Sequence, residues 1–195
     1  MKNILRSATQ TAMLFVSQYL SPGQTAIDAT CGNGNDTVAL ARLGAGKIYG
    51  FDIQENAIRQ TKAALERDGL DSDQIHLIRD GHENMHLYVK EPVQVVLFNL
   101  GYLPRASKEI TTKTKTTLEA VSRALHLLAC GGLICITMYS GHPGGEEEKQ
   151  NLLAFAENLD EKIYHTAYIH MLNQKKHPPE ILLITSKRGV DIEKD

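Results

Sequence analysis

Cysteine is scarce in this chain of 195 residues, and Cys31, Cys130 and Cys135 show neither a Cys-x-x-Cys pair nor a Cys/His ligand spacing. We therefore expect no zinc site, no disulfide framework and no metal. An excess of charge of one sign is also absent, since 21 Lys and Arg oppose 23 Asp and Glu to give a formal net charge of −2. This balance excludes a disordered polyelectrolyte and gives no global sign of a nucleic-acid binder.

Long apolar runs are missing as well. The longest, over residues 125–139, is interrupted by Gly131 and Gly132 and is too short to cross a bilayer as a helix. Polar residues break the N-terminal stretch that follows Lys2 and Arg6, so this stretch does not read as a signal-peptide core. These absences predict a cytoplasmic protein without a membrane segment.

Helical and strand-like patterns alternate along the chain. Amphipathic spacing predicts helices over residues 3–20, 35–43, 55–68, 116–130 and 146–159. Short apolar runs predict strands over residues 25–30, 47–52, 74–79, 93–100, 133–139, 163–172 and 180–186. The glycine pair at 131–132 is expected to end the fourth helix.

This alternation is typical of an α/β fold in which a mostly parallel sheet carries helices on both faces. The last two strands are joined only by residues 173–179, too few for a parallel crossover, so we expect them to pair antiparallel. The sequence shows no internal repeat and no linker. It therefore predicts a single domain over residues 1–195, with a flexible tail at 189–195.

A glycine-bearing turn follows the first predicted strand, at the sheet edge where open α/β folds bind ligands. Gly32 and Gly34 allow a tight turn and the close approach of a ligand, and the next helix offers free N–H groups. Thr37 stands where the dinucleotide fingerprint requires a third glycine, which argues against NAD. Asp52 ends the second strand about 20 residues beyond Gly32, which suits a carboxylate that accepts from ribose hydroxyls.

The later strands also end in polar residues. Asp80 either accepts from an adenine amine or caps the next helix. Asn99 can accept from a substrate amine and Tyr102 can stack on a base, although both also suit an ordinary turn. His142 is either an acid/base group or a plain loop histidine, while the glutamates at 146–148 suit a helix N-terminus through its dipole.

Together these strand-end residues resemble the motif series of class I S-adenosylmethionine-dependent methyltransferases. The series is Asp28-x-x-x-Gly32-x-Gly34, then Asp52, then Asp80, then Asn99-Leu100-Gly101-Tyr102. Thr30 departs from the usual series, because many members have glycine at that position. An antiparallel final strand fits the same fold, a Rossmann-like α/β sheet of seven strands.

Longer blocks resemble a small bacterial family labelled "putative rRNA methylase". They are DATCGNGNDT at 28–37, GFDIQ at 50–54, DGH at 80–82, FNLGYLP at 98–104, GHPGGEEE at 141–148 and NQKKHPP at 173–179. This family is associated with the tRNA methyltransferase that converts 5-aminomethyl-2-thiouridine to its 5-methylaminomethyl form at the wobble position. The resemblance implies this activity, with S-adenosylmethionine (SAM) as cofactor and the tRNA anticodon loop as partner.

The resemblance also implies roles for individual residues. The methionine end of SAM is assigned to Asp28, Gly32, Asn33, Gly34, Asp36 and Thr37, the ribose to Asp52, Ile53 and Gln54, and the adenine to Asp80, Gly81 and His82. Asn99, which also borders the cofactor, and the Leu100 carbonyl would orient the amine, Tyr102 would pack the base, and His142 would accept the proton. The cations that either meet RNA phosphates or form a solvated face are Arg105, Lys108, Lys113, Lys115, Lys175 and Lys176.

Other functions stay open at this point. They are an rRNA methyltransferase, a small-molecule N- or O-methyltransferase, a non-catalytic cofactor-binding module and, disfavoured by the glycine pattern, an NAD-dependent oxidoreductase. Since the predicted fold occupies nearly the whole chain, RNA would have to be recognised by the strand-end loops or by a partner subunit. A homodimer is therefore included among the expectations.

Overall fold

The computed structural model of the protein describes residue 5 and residues 7–101, 112–174 and 177–188. Over these residues the strands are β1 (Thr25–Asp28), β2 (Lys47–Phe51), β3 (Ile75–Ile78), β4 (Val93–Leu100), β5 (Leu128–Met138), β6 (Tyr164–Ile169) and β7 (Glu180–Ser186). The α-helices are α1 (Ala8–Tyr19), α2 (Asn35–Arg42), α3 (Glu55–Arg67), α4 (Met85–Tyr88), α5 (Thr114–Leu127) and α6 (Gly145–Glu157).

The seven strands form one sheet in the order β3-β2-β1-β4-β5-β7-β6. The strands from β3 to β5 pair in parallel, and β7 pairs antiparallel with both β5 and β6. The expected mixed sheet and its antiparallel last strand are confirmed. Because the strand order reverses beside β1, the carboxyl ends of β1 and β4 border the crevice in which folds of this kind bind ligands.

Alternate side chains of the central strands enter cores on opposite faces of the sheet. Val95 and Leu97 of β4 pack with α1 and α2, whereas Val96 and Phe98 pack with α4, α5 and α6. All four side chains are almost completely buried. Burial of such a side chain contributes about 1.5–3 kcal/mol, so the continuous apolar run of β4 fixes this strand at the centre of the fold.

The junction of α5 with β5 and the segment after Asp80 differ most from the sequence-based expectations. The predicted helix over 116–130 ends at Leu127, and the glycine pair 131–132 lies inside β5 instead of ending the helix. Gly131 has a left-handed φ of 70° and lies where the pairing of β4 with β5 shifts register. The glycine pair therefore accommodates an irregularity inside the strand. The segment after Asp80 was predicted only as a loop, but it forms a 3-10 turn over His82–Asn84 and the short helix α4.

The chain on either side of residues 102–111 is held by hydrogen bonds. The Thr112 backbone N–H donates to the Gly101 carbonyl at 3.2 Å. The buried Glu148 of α6 accepts from the hydroxyls of Thr112 (2.8 Å) and Thr117 (2.6 Å). This clamp joins the end of β4, the start of α5 and the first turn of α6.

Candidate active site

A cavity of about 580 Å³ opens at the carboxyl ends of β1, β2, β4 and β5. The predicted site residues that line it are Gly32, Asn33, Asp36, Asp52, Ile53, Gln54, Gly81, His82, Asn99 and Leu100. Its volume lies in the range of about 300–1,000 Å³ that is usual for small-molecule and cofactor sites. The parallel strands thus bring together residues that are far apart in sequence.

The turn after β1 depends on two left-handed glycines. Gly32 has a φ of 52° and Gly34, the N-cap of α2, has a φ of 80°. A Cβ on Gly34 would lie 2.7 Å from the Cα of Thr61 in α3. Gly34 therefore allows α3 to pack closely against the turn, whereas Gly32 lines the cavity.

Asp52 connects the loops that follow β1 and β2. Its Oδ2 accepts from the Gly32 backbone N–H at 3.0 Å, and its Oδ1 accepts from the Gln54 N–H at 2.9 Å. A carboxylate offers about four acceptor positions, so each oxygen retains capacity for a ligand hydroxyl. Beside it, the side chain of Ile53 lines the cavity although it is 57% exposed, which offers an apolar face to a planar ring.

Asp28 lies beneath the cavity wall and is completely buried. Its carboxylate accepts from the Thr37 hydroxyl at 2.5 Å and from the Thr30 N–H at 3.1 Å. Burial, reinforced by the neighbouring Asp36 carboxylate, raises the pKa of Asp28 from 3.8 to about 7 against the opposing effect of these hydrogen bonds. Asp28 and Thr37 therefore support the turn, and the buried Thr37 supplies a hydroxyl to Asp28 at the position where the dinucleotide fingerprint has a glycine.

We expect the Asp28→Asn variant to change how stability depends on pH. The pKa of Asp28 is higher in the folded than in the unfolded state, so the folded wild type binds the extra proton and loses stability as pH rises from about 4 to about 7. Asparagine cannot ionise, so the free energy of unfolding of the variant, relative to wild type, should rise across this window. Urea unfolding at several pH values measures this difference, and a difference that stays constant with pH would contradict the expectation.

The Asp80 carboxylate makes its hydrogen bonds to residues that follow it closely in the chain. Its carboxylate accepts from the Gly81 N–H (2.7 Å), the Asn84 amide (2.9 Å) and the Tyr88 hydroxyl (2.8 Å). The amide of Asn84 is the main cause that holds the pKa of Asp80 below its usual value, and it outweighs partial burial. Neither the 3-10 turn over His82–Asn84 nor α4 has a side-chain cap hydrogen bond, so Asp80 holds its loop together without capping a helix, while Gly81 and His82 line the cavity.

His82 is fixed as part of the cavity wall. Its Nδ1 lies 3.1 Å from the Ala29 carbonyl, and its ring meets Phe98 edge-on with centroids 5.6 Å apart. Burial lowers the pKa of His82. Because a carbonyl only accepts, Nδ1 carries the proton of the neutral ring, which leaves Nε2 as an acceptor.

Asn99, near the end of β4, lies where the strand-end loops meet. Its backbone N–H donates to the Thr30 hydroxyl at 2.7 Å, and its side-chain Nδ2 donates to the Asp36 carboxylate. Burial raises the pKa of Asp36, while the Asn99 hydrogen bond opposes that rise. The threonine that replaces the usual glycine at position 30 thus ties the end of β1 to the end of β4.

On the side of the cavity formed by α1, α5 and the residue after β5, sequence reasoning pointed only to Lys113, as a cation for RNA phosphates. Thr9, Lys113, Thr116 and Tyr139 line this side, and the Tyr139 hydroxyl lies 3.4 Å from Thr9 Oγ1. Tyr139 was noted only as the end of a strand, although the pairing of Leu100 with Met138 puts it beside the end of β4. Nothing in the spacing of α1 indicates that Thr9 reaches the site.

Some predicted site residues lie elsewhere. Within the described ranges, the residues that do not line the cavity are Asp28, Gly34, Thr37, Asp80, Lys115 and His142. The ring of His142 lies over the start of α6, where a Cβ on Gly145 would come within 2.8 Å of its Nε2. The positions of Tyr102, Arg105, Lys108, Lys175, Lys176 and the tail at 189–195 lie outside the described residues.

Two further features concern the described part of the chain. It contains no group of three or more His, Cys, Asp or Glu side chains arranged to hold a metal ion. None of its helices is long and apolar enough to cross a membrane.

Solved structures share both this fold and this arrangement of strands. A structure described as "putative rRNA-methylase from Clostridium thermocellum" is 39% identical, covers 93% of this chain and 98% of that one, and superimposes with a TM-score of 0.89. A structure described as "a putative methyltransferase from streptococcus mutans in complex with SAH" is 40% identical with the same coverage and a TM-score of 0.86. The protein has the class I fold of S-adenosylmethionine-dependent methyltransferases.

Sequence comparisons narrow this class. A model of the family described as "Putative rRNA methylase" matches residues 48–185. The chain is also 37% identical over 194 residues to "tRNA (mnm(5)s(2)U34)-methyltransferase, chloroplastic" of Arabidopsis thaliana, an alignment that spans 94% of this chain and 70% of that protein. The chain belongs to the rRNA methylase family, and its cofactor is SAM.

The residues at the cavity fit this cofactor. Asp52 retains acceptor capacity for two ribose hydroxyls, and Ile53 and His82 offer apolar and ring surfaces beside it. The left-handed Gly32 places no side chain in the cavity wall at the turn. A cationic sulfonium is also favoured by the acidic group of Asp28, Asp36 and Asp52 beneath and beside the cavity.

Proposed function

We propose that this protein methylates the primary amine of 5-aminomethyl-2-thiouridine at the wobble position of tRNA. The observation that carries this proposal is the placement of Asn99, whose buried Oδ1 has no hydrogen-bond partner among the described residues. An unpaired acceptor in a cavity wall suits a substrate that brings N–H donors. The sequence similarity to the Arabidopsis tRNA methyltransferase supports the same substrate.

The side of the cavity opposite Asp52 suits a nucleotide. The ring of Tyr139 is 38% exposed and lines the cavity, so it offers a face on which a base can stack. Lys113 lines the same side and supplies a cation for a phosphate. A wobble base lies in a single-stranded loop, so it can turn into this pocket without opening a duplex.

The protein's part in the reaction is to orient the amine and exclude water. When bound, SAM would supply an electrophilic methyl group on a sulfonium; the neutral amine bonds to the methyl carbon while the methyl–sulfur bond breaks, and S-adenosylhomocysteine leaves as a neutral thioether. An alkyl amine has a pKa near 10 and must lose a proton before it attacks. Asn99 Oδ1 then accepts one of the remaining N–H groups, and the Leu100 carbonyl, which already accepts from the Tyr139 N–H at 3.2 Å, accepts another with its second lone pair, which aims the lone pair of the amine.

The proton leaves the substrate ammonium ion before transfer, and the methylated product is again a cation. His142 remains the predicted acceptor of this proton, but its ring lies over Gly145 and not in the cavity wall. The predicted roles in RNA binding are kept for Tyr102, Arg105 and Lys108, which lie within residues 102–111. They are kept also for the pair Lys175 and Lys176. A single domain over 1–195, a homodimer and a cytoplasmic location likewise remain proposals.

The test uses RNA from a strain that lacks the gene. The purified protein, incubated with this bulk tRNA and SAM, should convert 5-aminomethyl-2-thiouridine to the 5-methylaminomethyl form, as measured by mass spectrometry of the digested nucleosides. The same tRNA fraction from the parent strain is already methylated and serves as the control, so it should gain nothing. Methyl transfer to rRNA, with none to tRNA, would contradict the proposal and favour an rRNA methyltransferase. Methyl transfer to a free amine, with none to tRNA, would favour a small-molecule methyltransferase.

A further inference from the structure

The side chain of Asn99 is held in one orientation by the chemistry of its neighbour. Asp36, at the start of α2, is 8% exposed and accepts a hydrogen bond from Asn99 Nδ2. A carboxyl oxygen of Asp36 is the acceptor of this hydrogen bond, so the amide presents its NH₂ group to Asp36. The Asn99 Oδ1 is thereby turned away from Asp36 and is the buried atom that has no partner among the described residues.

The opposite orientation of this amide would present the wrong group. If the amide were turned around, its oxygen would lie against Asp36 and its NH₂ group would face the substrate. The N–H donors of Asn99 and those of the amine would then face each other with no acceptor between them. Two donors facing each other in a buried site leave both unsatisfied. Asp36 therefore determines whether the end of β4 presents an acceptor or a donor to the substrate.

The backbone of Asn99 is fixed independently. The Thr30 hydroxyl accepts from the Asn99 N–H at 2.7 Å, and the Thr30 N–H donates to Asp28 at 3.1 Å. Thus the main chain of Asn99 is held from β1 while its amide is held from α2. The other titratable groups whose charges interact with Asp36 are Asp28 of β1 and the Cys135 thiol of β5.

We propose that Asp36 is a positioning residue for methyl transfer, which holds the Asn99 amide with its oxygen toward the amine. This inference rests on the proposed function and adds a residue that does not itself touch the reacting atoms. The hydrogen bond from Asn99 Nδ2 to Asp36 keeps the amide in this orientation. Substrate binding then requires no rotation of the amide, and the geometry for attack is set in advance.

The first measurement compares turnover with binding. Asp36→Ala should lower kcat on tRNA from the deletion strain, measured at saturating SAM, by about tenfold, because the Asn99 amide loses the contact that fixes its oxygen toward the amine. Asp36 also lines the cavity, so the dissociation constant for S-adenosylhomocysteine (SAH), measured by calorimetry, separates any loss of cofactor binding from the loss of turnover. Asp71→Asn, which alters an exposed carboxylate of the α3–β3 loop, is the matched control and should resemble wild type.

A second pair of variants tests the same contact by exchanging its partners. Asn99→Asp places two carboxylates against each other, and they can share the site only with a proton between them. Adding Asp36→Asn to this variant restores the hydrogen bond with donor and acceptor exchanged. One oxygen of the carboxylate at position 99 then accepts from the amide at position 36, and its other oxygen accepts from the substrate amine. At about pH 9 the double variant should exceed Asn99→Asp in kcat by about tenfold, and the gap should narrow toward about pH 7.

A substrate-free measurement completes the test. In the wild type without ligand, NMR should show the side-chain amide protons of Asn99 exchanging slowly with water, and Asp36→Ala should remove this protection. Wild-type kcat in Asp36→Ala, equal turnover of the single and double variants at high pH, or an unprotected Asn99 amide would each overturn the inference. If the wild type fails on tRNA, the proposed function falls and the NMR result alone decides the role of Asp36.

Discussion

Replacement of Asn99 by alanine should lower kcat for methyl transfer to tRNA by about 10²–10³-fold, the range observed when a single preorganised polar group is removed from an active site. Asn99 is the described residue that combines a buried, unpaired acceptor with a place in the cavity wall. Without this acceptor the amine loses its orientation, although the cofactor part of the cavity is intact. The dissociation constant for SAH should therefore change by less than about threefold.

The control for this prediction is Asn151→Ala. Asn151 is exposed on α6, where its amide donates only to the Glu147 carbonyl one turn earlier. Single-turnover rates, measured with saturating SAM and tRNA from the deletion strain, separate the methyl-transfer step from product release. A single-turnover rate for Asn99→Ala within about threefold of wild type would reject the assigned role of Asn99.

The second large effect is expected at Asp52. Asp52→Ala should weaken SAH binding by about 100-fold, since a hydrogen bond to a charged group contributes about 1.5–3 kcal/mol and a tenfold change in affinity corresponds to about 1.4 kcal/mol. The same substitution removes the acceptor for the Gly32 and Gln54 N–H groups, so the turns after β1 and β2 lose their common anchor. Isothermal titration with SAH measures the loss directly.

Two comparisons make the Asp52 result specific. Asp73→Ala removes an exposed carboxylate from the loop before β3 and should bind SAH as wild type does. Asp52→Asn keeps one acceptor oxygen and should fall between wild type and Asp52→Ala. If Asp52→Ala binds SAH with wild-type affinity, the ribose is held elsewhere and the assignment of this carboxylate is wrong.

The fold was predictable because its signals are periodic. The continuous apolar run of β4, the alternating helices and the short connection between β6 and β7 each follow from residue type and spacing. The error at residues 131–132 has a local cause. A glycine pair after an amphipathic helix indicates a helix end, but here helix and strand meet directly at Leu127 and Leu128, and the glycines absorb a register shift inside β5.

The site was predictable only where the main chain itself delivers residues to the sheet edge. Gly32 and Asp52 reach the cavity because they follow parallel strands, and Asn99 because it lies near the carboxyl end of one. Strand position alone does not give side-chain direction, so Asp28 was assigned to the cofactor although it points into the floor of the site. Thr9 reaches the cavity through tertiary packing, for which one sequence carries no signal, whereas Tyr139 directly follows the parallel strand β5 and could have been found by the same rule.

The clamp between Gly101, Thr112 and Glu148 has a consequence for how new specificities can arise on this fold. Its hydrogen bonds fasten the chain before and after residues 102–111 to each other and to α6. The free energy of closing a loop between fixed ends varies slowly with loop length, by about 0.6 kcal/mol per doubling. The interval between the two fastened points is thus a natural graft site, where segments of other lengths and sequences can be exchanged while the cofactor half of the enzyme is kept.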